Sequence, residues 1–313
     1  MPDTITLEAR SGDVVVGVDG SPASLNAVRY ALEEVRRGGG VLRLVHVVPD
    51  YGVMTALYPL PPEDLAEAGR EVLRGVVEDL GAPVTDVTME TVLRRGSRVA
   101  TLSSAARAAR ALVVGTDRRP VAARVLTGNT SNGVAASCVA PVVSVPETWR
   151  PGTGAGAVVV GVKSPVHATE LLGEAFALAQ SRGSRLVVLH SWRMPSGYDD
   201  IITDRVAPQE WADRARVELS GLLEEWASSY PEVDLEIRPV HDQAAHALIE
   251  ASREADEIVL VRRAHGIPAA AHLGSTARAV LRDAHCPVRV VPPGHVVALP
   301  GLVLEEAGQL KKE

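Results

Sequence analysis

Short runs of Val, Leu and Ile alternate along the chain with longer segments in which apolar residues recur every three or four positions. The runs in the first half are DVVVGVD, VLRLVHVV, VTMETVLR, ALVVG and PVVSVP, and each has the length of a buried strand. The segments between them, such as SPASLNAVRYALEEVRR, have helical periodicity, and Ser21 followed by Pro22 is typical of an N-cap and a first helical residue. Strands separated by helices predict βαβ units with a parallel sheet.

This pattern occurs twice. VVVGVDGSPAS at residues 14–24 recurs as VVVGVKSPVHA at residues 158–168. LTGNTSNGVAASCVAPVVSVP at residues 126–146 aligns without a gap with HLGSTARAVLRDAHCPVRVVP at residues 272–292. Similarity at a nearly constant offset indicates a tandem duplication.

Two domains are therefore predicted, at residues 12–148 and 157–293, joined by the Gly- and Pro-rich linker WRPGTGAG and followed by a tail at residues 294–313. The length of 313 residues agrees with two domains of ordinary size. Hydrophobic residues make up 46% of the chain but include a single Phe, so the cores must be built from Val, Leu, Ala and Ile. Such cores suit parallel sheets that are covered by helices on both faces.

The charge and the apolar segments exclude several classes of function. The formal net charge is −7 and there is no long basic run, so no binding to nucleic acid is predicted. No apolar segment reaches the roughly 18 residues of a membrane span, and the N-terminus lacks a secretory pattern. With only two cysteines, a disulfide framework is not expected, and a cytoplasmic protein without membrane contact is predicted.

These motifs resemble the universal stress protein family in its tandem two-domain form. The resemblance covers about residues 12 to 292 and rests on VVVGVDGSPAS, LVHVV, ALVVG with the later LTGNTSNG, and the closing runs APVVSVP and CPVRVVP. It implies an α/β fold with two tandem five-stranded parallel-sheet domains, of the flavodoxin-like or adenine nucleotide alpha hydrolase-like class. It also implies that the two domains pair about a pseudo-two-fold axis through their last strands.

The resemblance further implies a nucleotide site. Members of the family that bind ATP carry an aspartate at the end of the first strand and a loop of the form Gly, two residues, Gly, nine residues, Gly, then Ser or Thr. The glycines let backbone amides approach the phosphates, and the hydroxyl lies at a helix N-terminus, where amides and the helix dipole favour an anion. The aspartate can accept a hydrogen bond from the adenine or the ribose.

The first half keeps part of this pattern. Asp19 stands at the aspartate position, and Gly115 and Gly128 have the spacing of the first and last loop glycines. Arg118 replaces the middle glycine, and its side chain either crowds the phosphate path or binds phosphate itself.

The end of the first loop also departs from the pattern. Asn129 replaces the Ser or Thr, with Thr130 one residue late, although Asn129 still offers amide donors and a backbone N–H. Val47, next to His46 in the second strand, is predicted to line the nucleotide pocket. We therefore expect the first domain to bind an adenine nucleotide, ATP, weakly or in altered form.

The second half departs further. Lys163 replaces the aspartate, and Val261 and Ala264 stand where the first two loop glycines would be. The end of the pattern is kept by Gly274, Ser275 and Thr276. A valine places a branched side chain where backbone must approach the ligand, and a lysine exchanges an acceptor for a donor. The second domain is therefore interpreted as degenerate.

Other titratable residues receive structural interpretations. Six histidines lie between residue 241 and the start of the tail: His241, His246, His265, His272, His285 and His295. No carboxylate or cysteine completes a ligand set at metal-site spacing, so these are interpreted as loop or surface residues and no metal is predicted. His46 and His190 occupy matching strands and are interpreted as structural, and Cys286 as a buried, inert thiol.

One pair of adjacent arginines follows the fourth strand in each half. The pair is Arg118 with Arg119 in the first half and Arg262 with Arg263 in the second. Two interpretations stay open, a sensor for an anionic ligand and a solvated basic loop.

Three functions are compatible with these residues. The preferred hypothesis is a regulatory stress-response protein, not an enzyme, whose first domain binds an adenine nucleotide. The first alternative is a scaffold that binds no nucleotide and acts through an unidentified protein partner. The second is a nucleotide hydrolase or transferase, which rests on fold analogy alone. The two domains are expected to pair within the chain, and association with a second copy is left open.

Overall fold

The computed structural model describes residues 9–50, 62–81, 84–116, 130–152, 156–163, 169–193, 208–262 and 273–297. Ten strands in this part of the chain are β1 (Val14–Gly17), β2 (Leu42–Val48), β3 (Met89–Arg95), β4 (Ala111–Thr116), β5 (Val142–Pro146), β6 (Ala157–Gly161), β7 (Arg185–Trp192), β8 (Leu235–His241), β9 (Glu257–Val261) and β10 (Val288–Val291). The helices of the same part are α1 (Pro22–Gly38), α2 (Pro62–Glu78), α3 (Arg98–Ala105), α4 (Thr130–Ser137), α5 (Thr169–Arg182), α6 (Pro208–Ser229), α7 (Ala244–Ala251) and α8 (Ser275–Asp283). The alternation that the apolar runs predicted is confirmed.

All ten strands belong to one sheet, in the order β3-β2-β1-β4-β5-β10-β9-β6-β7-β8. Within each half every pairing is parallel, and the second half repeats the strand order of the first. The two halves meet where β5 pairs antiparallel with β10, with Arg289 opposite Val143. Pairing through the last strands, which the resemblance implied, is therefore confirmed.

The central strands are buried on both faces, which explains why they are mostly continuous apolar runs, whereas the edge strands β3 and β8 are half-buried and contain charged residues. In β1, Val14 and Val16 pack on the face covered by α1 and α2, whereas Val15 packs on the face covered by α3 and α4. The second half has separate packing under α5 and α6. On the other face, α3, α4, α7 and α8 share one hydrophobic core that runs across both halves.

A buried ion cluster joins the two halves on the face that carries α1 and α5. Its centre is Arg289 in β10, whose Nε donates to Glu257 Oε1 at 2.7 Å, Nη1 to Glu174 Oε1 at 2.8 Å and Nη2 to Glu34 Oε2 at 2.9 Å. The side chains of Arg289 and Glu257 are 2% and 0% exposed. Glu34 belongs to the first half and the other three residues to the second, so the cluster fixes one half against the other.

Arg182 and Tyr30 complete this interdomain ion cluster. Arg182 Nη2 donates to Glu257 Oε2 at 2.6 Å and to Glu34 Oε1 at 2.9 Å. The Tyr30 hydroxyl donates to Glu257 Oε2 at 2.5 Å. The cluster consists of Tyr30, Glu34, Glu174, Arg182, Glu257 and Arg289. Because buried charges are costly unless they are paired and hydrogen-bonded, these contacts offset the cost of burying the charges between the two halves.

The first residues after β10 extend the cluster towards the tail. His295 Nε2 lies 3.0 Å from Glu174 Oε2, and the backbone N–H of Gly294 donates to Glu170 Oε1 at 3.2 Å. Both carboxylates belong to α5, so the start of the tail is fixed to that helix.

Acid is expected to destabilise the protein through this cluster. Burial raises the pKa of Glu34, but Arg289 and Arg182 lower it by more, to about 2. This pKa is below the ordinary value of 4.5. The ionised Glu34 carboxylate therefore stabilises the folded protein fully above pH 4.5, and this stabilisation is lost as the pH falls towards 2. The free energy of unfolding, measured by denaturant titration at each pH, should therefore decrease over this range.

The Glu34→Gln variant is the control for this pH dependence, because it has no carboxylate to protonate at that position. It should be less stable than the wild type at neutral pH but should lose less stability on acidification. Equal losses in both proteins would show that Glu34 does not contribute to the acid sensitivity.

Candidate functional site

The candidate site of the first half lies at the carboxyl ends of β1 and β4, neighbours at the centre of its five strands. β1 pairs with β2 on one side and with β4 on the other, so the strand order reverses direction between β1 and β4. In open α/β sheets ligands bind at such a switch point, in the crevice outside the carboxyl ends of the strands. The equivalent point of the second half lies between β6 and β9.

Asp19 follows β1 and is exposed at this edge. Its Oδ1 accepts a hydrogen bond from the backbone N–H of Ser21 at 3.0 Å. Ser21 is the N-cap of α1, and its Oγ accepts from the Ser24 N–H at 3.2 Å. The predicted N-cap and the predicted first helical residue, Pro22, are both confirmed. The turn after β1 thus holds the Asp19 carboxylate at the edge where the aspartate position was predicted.

Asp19 is a charged acceptor at neutral pH. Partial desolvation by nearby protein atoms raises its pKa, but the hydrogen bonds from Ser21 and Ser24 and the charge of Arg98 lower it by more. Its pKa therefore lies below the ordinary value for aspartate. A fixed, ionised carboxylate can accept hydrogen bonds from an amino group or from a ribose hydroxyl.

The two strand histidines have the same role in both halves. His46 Nδ1 lies 2.7 Å from the carbonyl oxygen of Val18, and His190 Nδ1 lies 2.9 Å from that of Val162. A carbonyl can only accept, so Nδ1 carries the proton in each case. The histidines hold the chain just beyond β1 and β6, as the structural interpretation predicted. Val47, next to His46, is 6% exposed and packs in the core shared by α3 and α4.

Gly115 in β4 is required by packing. A Cβ atom at this position would lie 2.4 Å from the backbone carbon of Ala23 and 2.6 Å from the backbone nitrogen of Ser24. The first turn of α1 therefore approaches β4 so closely that no side chain fits between them. This close approach explains the glycine without reference to a ligand.

Three hydroxyl groups next to Gly115 were missed by the sequence interpretation. Ser131 Oγ donates to the carbonyl oxygen of Gly115 at 3.1 Å. Thr116 Oγ1 donates to Ser131 Oγ at 3.2 Å and also forms a hydrogen bond with Ser144 Oγ. The first turn of α4, which begins at Thr130, is thereby tied to the ends of β4 and β5. The sequence contains an indication of these hydrogen bonds, because Thr130 and Ser131 stand at a helix start and Thr116 directly follows the strand glycine.

The remaining residues predicted for the first site lie outside the described part of the chain. They are Arg118, Gly128 and Asn129. The described part of the site therefore consists of Asp19, Gly115 and the N-terminus of α4 at Thr130.

The second half presents different chemistry at the equivalent edge. Lys163 is exposed after β6, and Val261 ends β9 half-buried. Gly274 is the N-cap of α8, with Ser275 and Thr276 in its first turn, and no described heavy atom lies within 4 Å of a Cβ built at Gly274. The helix start is kept, but the acceptor and the strand glycine are replaced.

The position of Arg262 agrees with neither interpretation of the second arginine pair. It is 8% exposed, so it is not in a solvated basic loop, and it does not face a site for an anion. Its Nη1 donates to the carbonyl oxygens of Ala135 at 3.1 Å and Cys138 at 2.9 Å, at the C-terminal end of α4 in the other half. Arg119 and Arg263 lie outside the described residues.

The described histidines have separate partners. His241 stacks on Trp192 with ring centroids 4.2 Å apart, and His246 Nδ1 lies 2.5 Å from Asp242 Oδ2. In the part of the chain that the structure describes, no group of three or more His, Cys, Asp or Glu side chains could hold a metal ion. His265 and His272 lie outside that part.

Both cysteines are buried, and burial raises the pKa of each thiol. The shift is larger for Cys286, which makes it a poor nucleophile at neutral pH. Its interpretation as a buried, inert thiol is therefore supported.

The fold defines a tandem α/β protein whose two halves differ at equivalent edges of one sheet. A family model described as the universal stress protein family matches residues 11–146 and 155–292. The chain belongs to the universal stress protein family and carries its domain twice.

Relatives and solved structures agree with this assignment. Universal stress protein Rv2623 of Mycobacterium tuberculosis is 30% identical over 293 residues, covering 88% of this chain and 95% of the relative. Universal stress protein Rv1996 of the same organism is 29% identical over 305 residues, covering 88% and 94%. The crystal structure of a universal stress protein from Archaeoglobus fulgidus superposes with a TM-score of 0.67 at 18% identity, covering 90% of this chain and 99% of the other. Among the described helices none has the length and hydropathy to cross a membrane.

Proposed function

We propose that this universal stress protein has a regulatory role in which its first domain binds an adenine nucleotide, ATP in the first instance, and its second domain does not. The observation that carries the proposal is the difference between the two switch points. The first keeps an ionised acceptor at Asp19, a strand glycine at Gly115 and a helix N-terminus at Thr130. The second has Lys163 and Val261 at the corresponding positions.

The chemistry of the first edge fits the parts of a nucleotide. The Asp19 carboxylate accepts from the adenine amino group or from the ribose hydroxyls. At a helix N-terminus such as the start of α4, the first amides lack intrahelical acceptors, and together with the helix dipole they favour a phosphate. A base and a phosphate bound in this way would span the crevice between β1 and β4.

Replacement of Asp19 by Asn tests this site. The Asn oxygen can still accept from the Ser21 N–H, so the turn should keep its shape, but the ionised acceptor is lost. We expect the affinity for ATP, measured by isothermal titration, to fall by about tenfold or more, the value of a hydrogen bond to a charged group. Lys163→Gln is the matched control in the second half and should change the affinity by less than about twofold.

Two results would contradict the proposal. One is an unchanged ATP affinity in Asp19→Asn, which would show that ATP binds elsewhere. The other is the absence of ATP binding to the wild type, together with no nucleotide released from freshly purified protein in mass spectrometry.

A scaffold function without nucleotide is the second candidate. It is favoured by the packing of Gly115, because the close approach of α1 explains this glycine without a ligand. In that case the spacing of the loop glycines is an inherited feature, and the protein acts through a partner protein. Absence of ATP binding would support this candidate over the first.

A further inference from the structure

Arg262 links the second half to the helix at which the candidate site of the first half ends. It follows β9 directly, and its backbone N–H donates to the Val291 carbonyl at 2.8 Å, so its position is fixed by the sheet of the second half. From there its buried side chain crosses to the first half and reaches the carbonyls of Ala135 and Cys138.

The helix that receives this contact, α4, is short and needs support at both ends. It has eight residues, and isolated helices of this length are unstable in water. The carbonyl groups of a last helical turn lack intrahelical partners, and a cation there also interacts favourably with the helix dipole. Arg262 supplies both the hydrogen-bond donor and the positive charge at the C-terminal end of α4, from across the domain interface. At the other end, Ser131 ties the N-terminal turn to Gly115 within the first half.

The equivalent position in the first half carries a different side chain. The residue equivalent to Arg262 in the first half is Thr116, whose hydroxyl bonds within that half to Ser131 and Ser144. Between Thr116 and the end of α8, at Leu281 and Ala284, there is a cavity of about 10 Å³, the size of one water molecule. Among the described residues, Thr116 therefore does not repeat at the end of α8 the contact that Arg262 makes at the end of α4.

We propose that Arg262 is a positioning residue, through which the second domain holds α4 and so sets the nucleotide affinity of the first domain. This inference rests on the proposed function for the link to nucleotide, and on the described contacts for the position of the helix. The half that has lost the acceptor and the strand glycine thus acts as a support for the half that keeps them.

The Arg262→Gln variant tests this proposal with two measurements on the full chain. Hydrogen exchange of the amides at residues 134–138 should become about tenfold faster or more, because the last turn of α4 loses its partner. ATP affinity, measured at a temperature at which every variant is fully folded, should fall by a similar factor. Arg262→Lys keeps the positive charge but not the length and planar shape of the guanidinium side chain, so it should recover part of both losses.

Arg110→Gln is the matched control. Arg110 is also an arginine that holds a helix end, since its Nη2 donates to the Glu34 carbonyl of α1 at 2.8 Å, but it acts within the first half and does not touch α4. It should lower overall stability while leaving the exchange of residues 134–138 and the ATP affinity within about twofold of the wild type.

The outcomes separate this inference from the proposed function. Unchanged exchange in Arg262→Gln, or equal effects of Arg262→Gln and Arg110→Gln, would overturn the positioning role. Faster exchange with unchanged ATP affinity would overturn the link between the domains. If the wild type binds no ATP, the proposed function fails and the link fails with it, while the exchange data still decide whether Arg262 positions α4.

Discussion

Replacement of Arg289 by Met is expected to lower the free energy of unfolding by about 3–5 kcal/mol, the cost of removing one partner from a buried ion pair. Met fills a similar volume but donates no hydrogen bonds, so Glu257, Glu174 and Glu34 lose the cation at their centre. Glu257 has no exposed surface on which water could replace that contact. Urea or guanidinium unfolding of the full chain measures the loss. The free energy of unfolding should depend on denaturant concentration with the same slope in the variant and in the wild type.

The control for Arg289 is an arginine of the same sheet that lies at the surface. Arg185 pairs with Asp234 at 2.8 Å, but the two side chains are 54% and 68% exposed. Arg185→Met should therefore cost less than about 1 kcal/mol, as exposed ion pairs do. Adding Glu257→Gln to Arg289→Met should recover part of the large loss, because it removes the most deeply buried carboxylate from a cluster in which Arg182 is then the one remaining arginine. Equal costs for the two arginines would show that the buried cluster is not a major source of stability.

The fold could be predicted because its signals are local and repeated. Most strands are apolar runs bounded by glycine, proline or charge, and the second half repeats the first at a nearly constant offset. Ser21 and Pro22 marked the start of α1 to the residue. The pairing of β5 with β10 came from the family resemblance and not from any pattern of these strands, since an apolar run does not specify its neighbour.

The interdomain ion cluster could not be predicted in the same way. Glu257 and Arg289 each appear as one charged residue beside an apolar run, in EIVLV and VRVV, which reads as an exposed position of a strand. Their partners Tyr30 and Glu34 lie more than two hundred residues away. Which charges meet depends on how the two halves pack, and that information is not contained in a local pattern.

Arg262 shows the same limit at the candidate site. In sequence it is one of two adjacent arginines after a strand, which is typical of a solvated loop. A usable signal lay in the repeat: the position is Thr116 in the first half, where a short hydroxyl side chain serves its own domain. A difference between equivalent positions of a tandem repeat can therefore indicate a contact between the domains.

Gly115→Ala is expected to lower the free energy of unfolding by about 2–3 kcal/mol, the upper range for forcing a methyl group into a packed region. The added Cβ would meet the backbone of Ala23 and Ser24, and backbone yields less easily than the end of a flexible side chain. Either the first turn of α1 or the end of β4 must move. Denaturant unfolding measures the loss, and ATP titration of the same variant follows its effect on the site.

Gly274→Ala is the control, because it changes the last glycine of the same loop pattern in the second half. Its φ of −60° suits alanine and no described heavy atom lies within 4 Å of the new Cβ, so the cost should be limited to about 1 kcal/mol for a poorer N-cap. If Gly115→Ala were as stable as the wild type but failed to bind ATP, the glycine would be required by the ligand. A large loss of stability at Gly115 and a small one at Gly274 would show that the first glycine is part of the framework. Nucleotide binding would then depend on Asp19 and on the start of α4.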